Sequence, residues 1–169
     1  MTCQMSLVEK AKQFATEAHG TQKYGRQPYS YHLEAVANVL GEFGYHDESL
    51  QSAAWLHDVL EDTSVTYEDL IRAGFPVIVA TYVQCVTAEG GESRKERNRL
   101  AYKKIRKSLE ATVLKLADRI ANVRECVSNK DPKLRVYRGE YSEFRTALMT
   151  GDQDARKMWR ELDELLEWD

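Results

Sequence analysis

Four ionisable residues interrupt an otherwise apolar run, Trp55-Leu56-His57-Asp58-Val59-Leu60-Glu61-Asp62. Wound as one helix, this run sets His57 one turn from Glu61 and Asp58 one turn from Asp62, in a polar stripe about 100° wide. Charge taken out of water needs a partner or a metal. One reading is a helix end whose acids face solvent. The other is a divalent-metal site with spare carboxylates for proton transfer. The second is favoured because His57 and Asp58 lie inside the apolar run, not after it. A catalytic ion takes ligands from distant segments and keeps a position open. His32 and Asp118 are the further candidates. Asp118 stands in the apolar stretch 113–123, VLKLADRIANV, where a carboxylate is costly unless a metal or a neighbouring Lys115 or Arg119 neutralises it. His19 and His46 read as structural or surface residues.

Three stretches together resemble a known family. They are Ala18-His19-Gly20-Thr21-Gln22 through Pro28-Tyr29-Ser30-Tyr31-His32, then Leu56-His57-Asp58-Val59-Leu60-Glu61-Asp62-Thr63, then Leu114-Lys115-Leu116-Ala117-Asp118-Arg119-Ile120-Ala121-Asn122. In this order they resemble the HD-domain metal-dependent phosphohydrolases, and more narrowly the hydrolase domain of the RelA/SpoT alarmone enzymes and their small stand-alone relatives. The likeness spans roughly residues 7–127. It implies that His32, His57, Asp58 and Asp118 hold one divalent ion, with manganese foremost and iron or zinc as alternatives. It also implies that Glu61 and Asp62 are the catalytic acid pair. Two imidazoles and two carboxylates suit any of those metals. Glu61 is expected against an apolar wall.

The substrate implied by the resemblance is a phosphorylated nucleotide, foremost guanosine tetra- or pentaphosphate losing its 3′-pyrophosphate. Other nucleotides, NADPH, or a non-catalytic nucleotide-binding module on the same scaffold are the alternatives. Lys23 and Arg26 precede His32 closely enough to reach phosphates at the metal. Their loop reads Gln22-Lys23-Tyr24-Gly25-Arg26, where the family carries a longer Gln-x-Arg-Lys run; in relatives this loop shapes the base pocket. Asn122, one turn after Asp118, can bond a base or ribose edge. Arg138 and Tyr141, one turn apart, are a further possible clamp. The basic run from Arg94 to Lys107 reads as a solvated helix face.

The elements that must position these groups are helical. Ser6 and Glu9 form a capping box for a first helix ending near Gly20. A loop broken by Gly25 and Pro28 leads to a helix from about Ser30 to Gly44. Asp47 caps the helix that delivers His57 and Asp58, and Thr66 starts a short one closed by Gly74. Residues 76–87, PVIVATYVQCVT, are rich in β-branched side chains, but their length and helical neighbours favour a buried helix. Gly90 and Gly91 make a joint before a helix over 93–108 capped by Ser93 and Glu96. Residues 111–127 are apolar nearly all round, the mark of a central buried helix. Asp131-Pro132 opens the next helix, to about Leu148, and a last one covers 152–166.

With 169 residues, 43% hydrophobic and 30% charged, the chain can bury a sizeable core without staples. The expected architecture is one all-α domain over 1–169, an HD-type helical bundle with its family-like core at about 7–127 and C-terminal helices over 131–167. A net charge of −3 argues against general nucleic-acid binding. Cys3, Cys85 and Cys126 are odd in number and show no CxxC spacing, as expected of reduced thiols in a cytoplasmic protein. No apolar run is long enough to span a bilayer.

Overall fold

The computed structural model describes residues 5–149, 151–153 and 155–167. In chain order these residues form α1 (Leu7–His19), a two-stranded hairpin of β1 (Lys23–Tyr24) and β2 (Gln27–Pro28), α2 (Ser30–Glu42) and α3 (Glu48–Leu56). There follow α4 (Val59–Asp62), α5 (Tyr67–Arg72), α6 (Val77–Val86), α7 (Arg94–Ile105), α8 (Leu109–Asn129), α9 (Leu134–Leu148) and α10 (Arg156–Leu166). The all-α expectation holds, and residues 77–86 are helical as expected. Among the described residues, no helix is long and apolar enough to cross a membrane.

Helix α8 is the axis of the bundle. It packs against α2, α3, α6, α7, α9 and α10, with Val113, Leu114, Leu116, Ala117, Ile120 and Val123 removed from solvent. This explains why its sequence is apolar on nearly every face. Helix α1 packs on α3 and α2 on the other side. The core runs on continuously into α9 and α10 through Tyr141, Phe144, Met158, Trp159 and Leu162. Cys126 is buried and Cys85 partly so, both as free thiols; Cys3 lies outside the described residues.

The caps read from sequence are present. The Ser6 hydroxyl accepts from the Glu9 N–H while the Glu9 carboxylate accepts from the Ser6 N–H, and Asp47 accepts from the Leu50 N–H. Four local expectations need correction. The loop after α1 contains the β1–β2 hairpin, turned through Gly25 and Arg26, with Gly25 at φ +58°, where a tight hairpin turn needs glycine. The α7 helix stops at Ile105 rather than continuing to Ser108. Asp131 accepts from the Lys133 N–H, so Pro132 lies in a preliminary turn and α9 begins at Leu134. The last helix begins at Arg156, not Asp152.

Candidate active site

The helix expected to run unbroken through His57 and Asp62 is interrupted. The Ala54 carbonyl, which a continuing helix would offer to the Asp58 N–H, faces the imidazole of His57 at 2.7 Å from Nδ1. A carbonyl only accepts, so Nδ1 donates to it and Nε2 is the ring nitrogen aimed inward. Helix α3 therefore ends at Leu56, and α4 restarts at Val59. The break turns His57 and Asp58 toward the core and leaves Glu61 and Asp62 at the rim, where both are exposed. Glu61 is thus not packed on an apolar wall; its Oε2 accepts from the Ala88 N–H at 3.0 Å, between α6 and α7.

Three elements converge on one point. Helix α2 supplies His32, the α3–α4 turn supplies His57 and Asp58, and α8 supplies Asp118. Among the described residues, one ligand atom each from His32, His57 and Asp118 falls within a 4.8 Å cluster, and all three residues are buried. His32 Nε2 lies 3.1 Å from Asp118 Oδ1, and His57 Nε2 is 3.6 Å from the same oxygen. Asp58 Oδ2 stands beside them, 3.0 Å from His57 Nε2 and 3.8 Å from His32 Nε2.

The electrostatics of the cluster call for positive charge. Burial opposes ionisation of Asp118, yet the Lys115 ammonium and then the two imidazoles outweigh it and hold the carboxyl well below its usual range. Asp58 is likewise held low, chiefly by His57 acting against burial. Burial disfavours charge on His57, but Asp58 and Asp118 together raise its pKa well above the ordinary value. His57 Nε2 is buried and, although Asp58 Oδ2 lies 3.0 Å away, makes no well-aligned hydrogen bond among the described residues. Buried polar groups are rarely left so. Two imidazoles and two carboxylates around an orphaned ring nitrogen fit a divalent cation, which competes with protons for the same lone pairs.

Each of these donors is held from behind. The Tyr29 hydroxyl donates to Asp58 Oδ2 at 2.6 Å. Asn122 donates to Asp118 Oδ1 at 2.7 Å, and Lys115 pairs with Asp118 Oδ2 at 2.9 Å. Of the two partners open to Asp118 in the sequence, Lys115 takes the role; Arg119 turns instead to Glu140 at 3.2 Å. Asn122 also accepts from the Tyr24 hydroxyl at 2.8 Å, so it serves the ligand carboxylate as well as lining the pocket. The Tyr24 ring in turn stacks on His32, with centroids 4.7 Å apart.

The cluster forms the floor of a pocket of about 350 Å³ that takes in Glu61 and Asp62 and is ringed by Arg94, Lys115, Arg119 and Lys133. Tyr24, Asn122, Lys133 and Tyr137 are shared with an adjoining groove of about 670 Å³, into which Lys23 and Arg26 project. Arg138 and Tyr141 belong to neither cavity. Arg138 pairs with Glu167 at 2.7 Å, and Tyr141 is fully buried with its hydroxyl on Asp163. The pocket is lined instead by Arg94, Lys133 and Tyr137, which the sequence alone did not single out. Arg94 was concealed in the basic run, of which Lys95, Arg97, Arg99, Lys103, Arg106 and Lys107 face solvent while Lys104 donates to the Gln84 and Thr87 carbonyls.

A family model described as an HD domain matches residues 11–143. The chain belongs to the HD-domain family. Among HD-domain relatives, guanosine-3′,5′-bis(diphosphate) 3′-pyrophosphohydrolase of Aquifex aeolicus (strain VF5) is 33% identical over 166 residues, which is 95% of this chain but 23% of that protein. The chain thus spans about a quarter of that longer relative. Guanosine-3′,5′-bis(diphosphate) 3′-pyrophosphohydrolase MESH1 of Xenopus tropicalis is 35% identical over 130 residues, 74% of this chain and 72% of that one. A solved structure of a metazoan SpoT ortholog, described as hydrolysing ppGpp, superposes with a TM-score of 0.78 at 26% identity and covers 99% of this chain and 97% of its own.

Proposed function

We propose that this HD-domain protein is a metal-dependent phosphohydrolase whose substrate is guanosine 3′,5′-bis(diphosphate), cleaved to release the 3′-pyrophosphate. The observation that carries the reading is the orphaned, buried His57 Nε2, set among His32, Asp58 and Asp118 beneath a pocket ringed by cations. The names of relatives that match most of the chain support the choice of substrate. His32, His57, Asp58 and Asp118 would hold one divalent ion, manganese in our reading. Such an ion supplies charge neutralisation at a phosphoryl oxygen and acidifies water. Residues 1–169 act as one catalytic unit in the cytoplasm.

The chain's own groups divide the remaining work. Arg94, Lys115, Arg119 and Lys133 offset the charge of the pyrophosphate in the smaller pocket. Lys23, Arg26, Asn122 and Tyr137 bound the wider groove, which takes the nucleoside and its 5′-diphosphate. Glu61 and Asp62 stand at the rim of the pocket floored by the cluster and would carry the proton transfers. As the water oxygen bonds to phosphorus and the bond from phosphorus to the 3′ oxygen breaks, this pair takes up the water proton and returns one to the departing oxygen.

The test is a panel of nucleotides incubated with the manganese-loaded protein. Pyrophosphate should appear from guanosine tetraphosphate and stop on chelation. Faster cleavage of monophosphate esters or of NADPH would reassign the substrate. No turnover of any compound, with tight nucleotide binding retained, would leave a binding module.

A further inference from the structure

Behind the two rim and ligand carboxylates lies a buried imidazole with no assigned role. His19 is the last residue of α1 and is 6% exposed. Gly20 ends the helix with φ +52°, and the chain folds back so that the Gln22 N–H bonds the His19 carbonyl at 2.9 Å. The Gln22 carbonyl then accepts from the Tyr29 N–H at 3.1 Å. The side chains repeat the association. His19 Nδ1 is 2.8 Å from Gln22 Oε1, and Gln22 Nε2 is 2.9 Å from Asp62 Oδ2. The other face of the matter is stacking: the His19 and Tyr29 rings lie 4.4 Å apart, tilted by 25°, and the Tyr29 hydroxyl holds Asp58.

Hydrogen-bond logic fixes the direction of this chain. An ionised Asp62 can only accept, so the Gln22 amide must present its NH2 group to it. The amide oxygen therefore faces His19, and His19 Nδ1 must be the donor. His19 Nε2 is buried and has no hydrogen-bond partner among the described residues, so the ring makes its one polar contact through Nδ1.

We propose that His19 is a positioning residue that sets both carboxylates at once. Its Nδ1–H fixes the Gln22 amide that aims Asp62, and its ring fixes the Tyr29 phenol that aims Asp58. The inference rests on the reading that Asp58 and Asp62 serve phosphohydrolysis, but its first test does not. In 15N-labelled, metal-free protein, the His19 ring nitrogens should report hydrogen on Nδ1 and none on Nε2, and the Gln22 side-chain amide signals should shift in His19→Phe. Hydrogen on Nε2 instead, or Gln22 signals unmoved, would overturn the relay whether or not the protein turns over the alarmone.

The second test is kinetic, with guanosine tetraphosphate and manganese. His19→Phe keeps a stacking ring but removes the donor, and Gln22→Leu removes the link; each should lower kcat about 10-fold with KM within about twofold. His19→Asn, whose amide N–H stands near the Nδ1 position but which has no ring to stack on Tyr29, should return the Gln22 amide signals to their wild-type positions and recover only the part of kcat that the donor supplies. The His19→Phe/Gln22→Leu double variant should be no slower than Gln22→Leu alone. Additive losses, or a change confined to KM, would show that His19 does not act through Gln22. Gln22 is only partly buried, so Gln22→Leu keeps the comparison usable if His19→Phe folds poorly. An inactive wild type would sink the substrate reading and leave the spectroscopic result to judge His19.

Discussion

At the level of single residues, the ligand set and the acid pair should separate cleanly. Asp58→Ala removes a carboxylate next to both imidazoles and should lose the metal, read by elemental analysis after dialysis. Glu61→Ala removes a rim group that touches no ligand, so metal content should persist while kcat falls about 100-fold or more. Tyr141→Phe probes a buried contact away from the pocket. Its hydroxyl meets Asp163, which also keeps Arg145 at 3.0 Å, so denaturant unfolding should show a loss of about 1 kcal/mol with kcat/KM unchanged. The convergence of His32, His57, Asp58 and Asp118 was legible because ionisable residues in apolar runs demand an explanation. Tyr141 was not, since a tyrosine on a helix reads alike whether it faces a ligand or the core. His19 was passed over for a related reason, because its partners Gln22 and Tyr29 meet it only after the chain turns back at Gly20.

At the level of elements, the sequence carried most of the helices through their caps and breakers, but not the pause between α3 and α4. That pause comes from a side chain, His57, facing a backbone acceptor, and no propensity encodes it. The β1–β2 hairpin was missed because two-residue strands give no alternation to read. The joint before α7 supplies a prediction. Gly91 has φ +87°, and a Cβ there would lie 2.8 Å from the Arg97 backbone nitrogen. Gly91→Ala should therefore cost more than about 1 kcal/mol and disturb the start of α7, where Arg94 enters the pocket. The measurement is unfolding together with KM, which should rise as Arg94 is displaced.

For the whole molecule, one ion network, buried at Arg119 and open to solvent at Arg94, ties the later helices together. Glu140 on α9 takes Arg94 from α7 and Arg119 from α8, and the Arg119 guanidinium lies over the Tyr137 and Phe144 rings at 4.8 and 4.4 Å. Burial opposes the Glu140 charge, but the Arg94 bonds and the Arg119 charge prevail, so its pKa sits below the ordinary 4.5. A depressed carboxylate stabilises the fold above its unfolded-state value, and that contribution fades as pH falls through the folded-state value. Glu140→Gln should thus cost roughly 1–3 kcal/mol at pH 7, and the gap to wild type should narrow below about pH 4.5. Denaturant titrations at several pH values measure it. The central helix was readable from its apolar run, whereas this network was hidden because its charges are scattered over three helices.

The contact between Glu61 and the Ala88 N–H makes that one peptide hydrogen a reporter on where the carboxylate sits. While the carboxylate holds it, it should trade slowly with deuterated solvent. Removing the carboxylate, or drawing it toward a bound nucleotide, should quicken that trade at a site outside the chemistry, and a Glu61→Ala sample gives the unprotected reference rate.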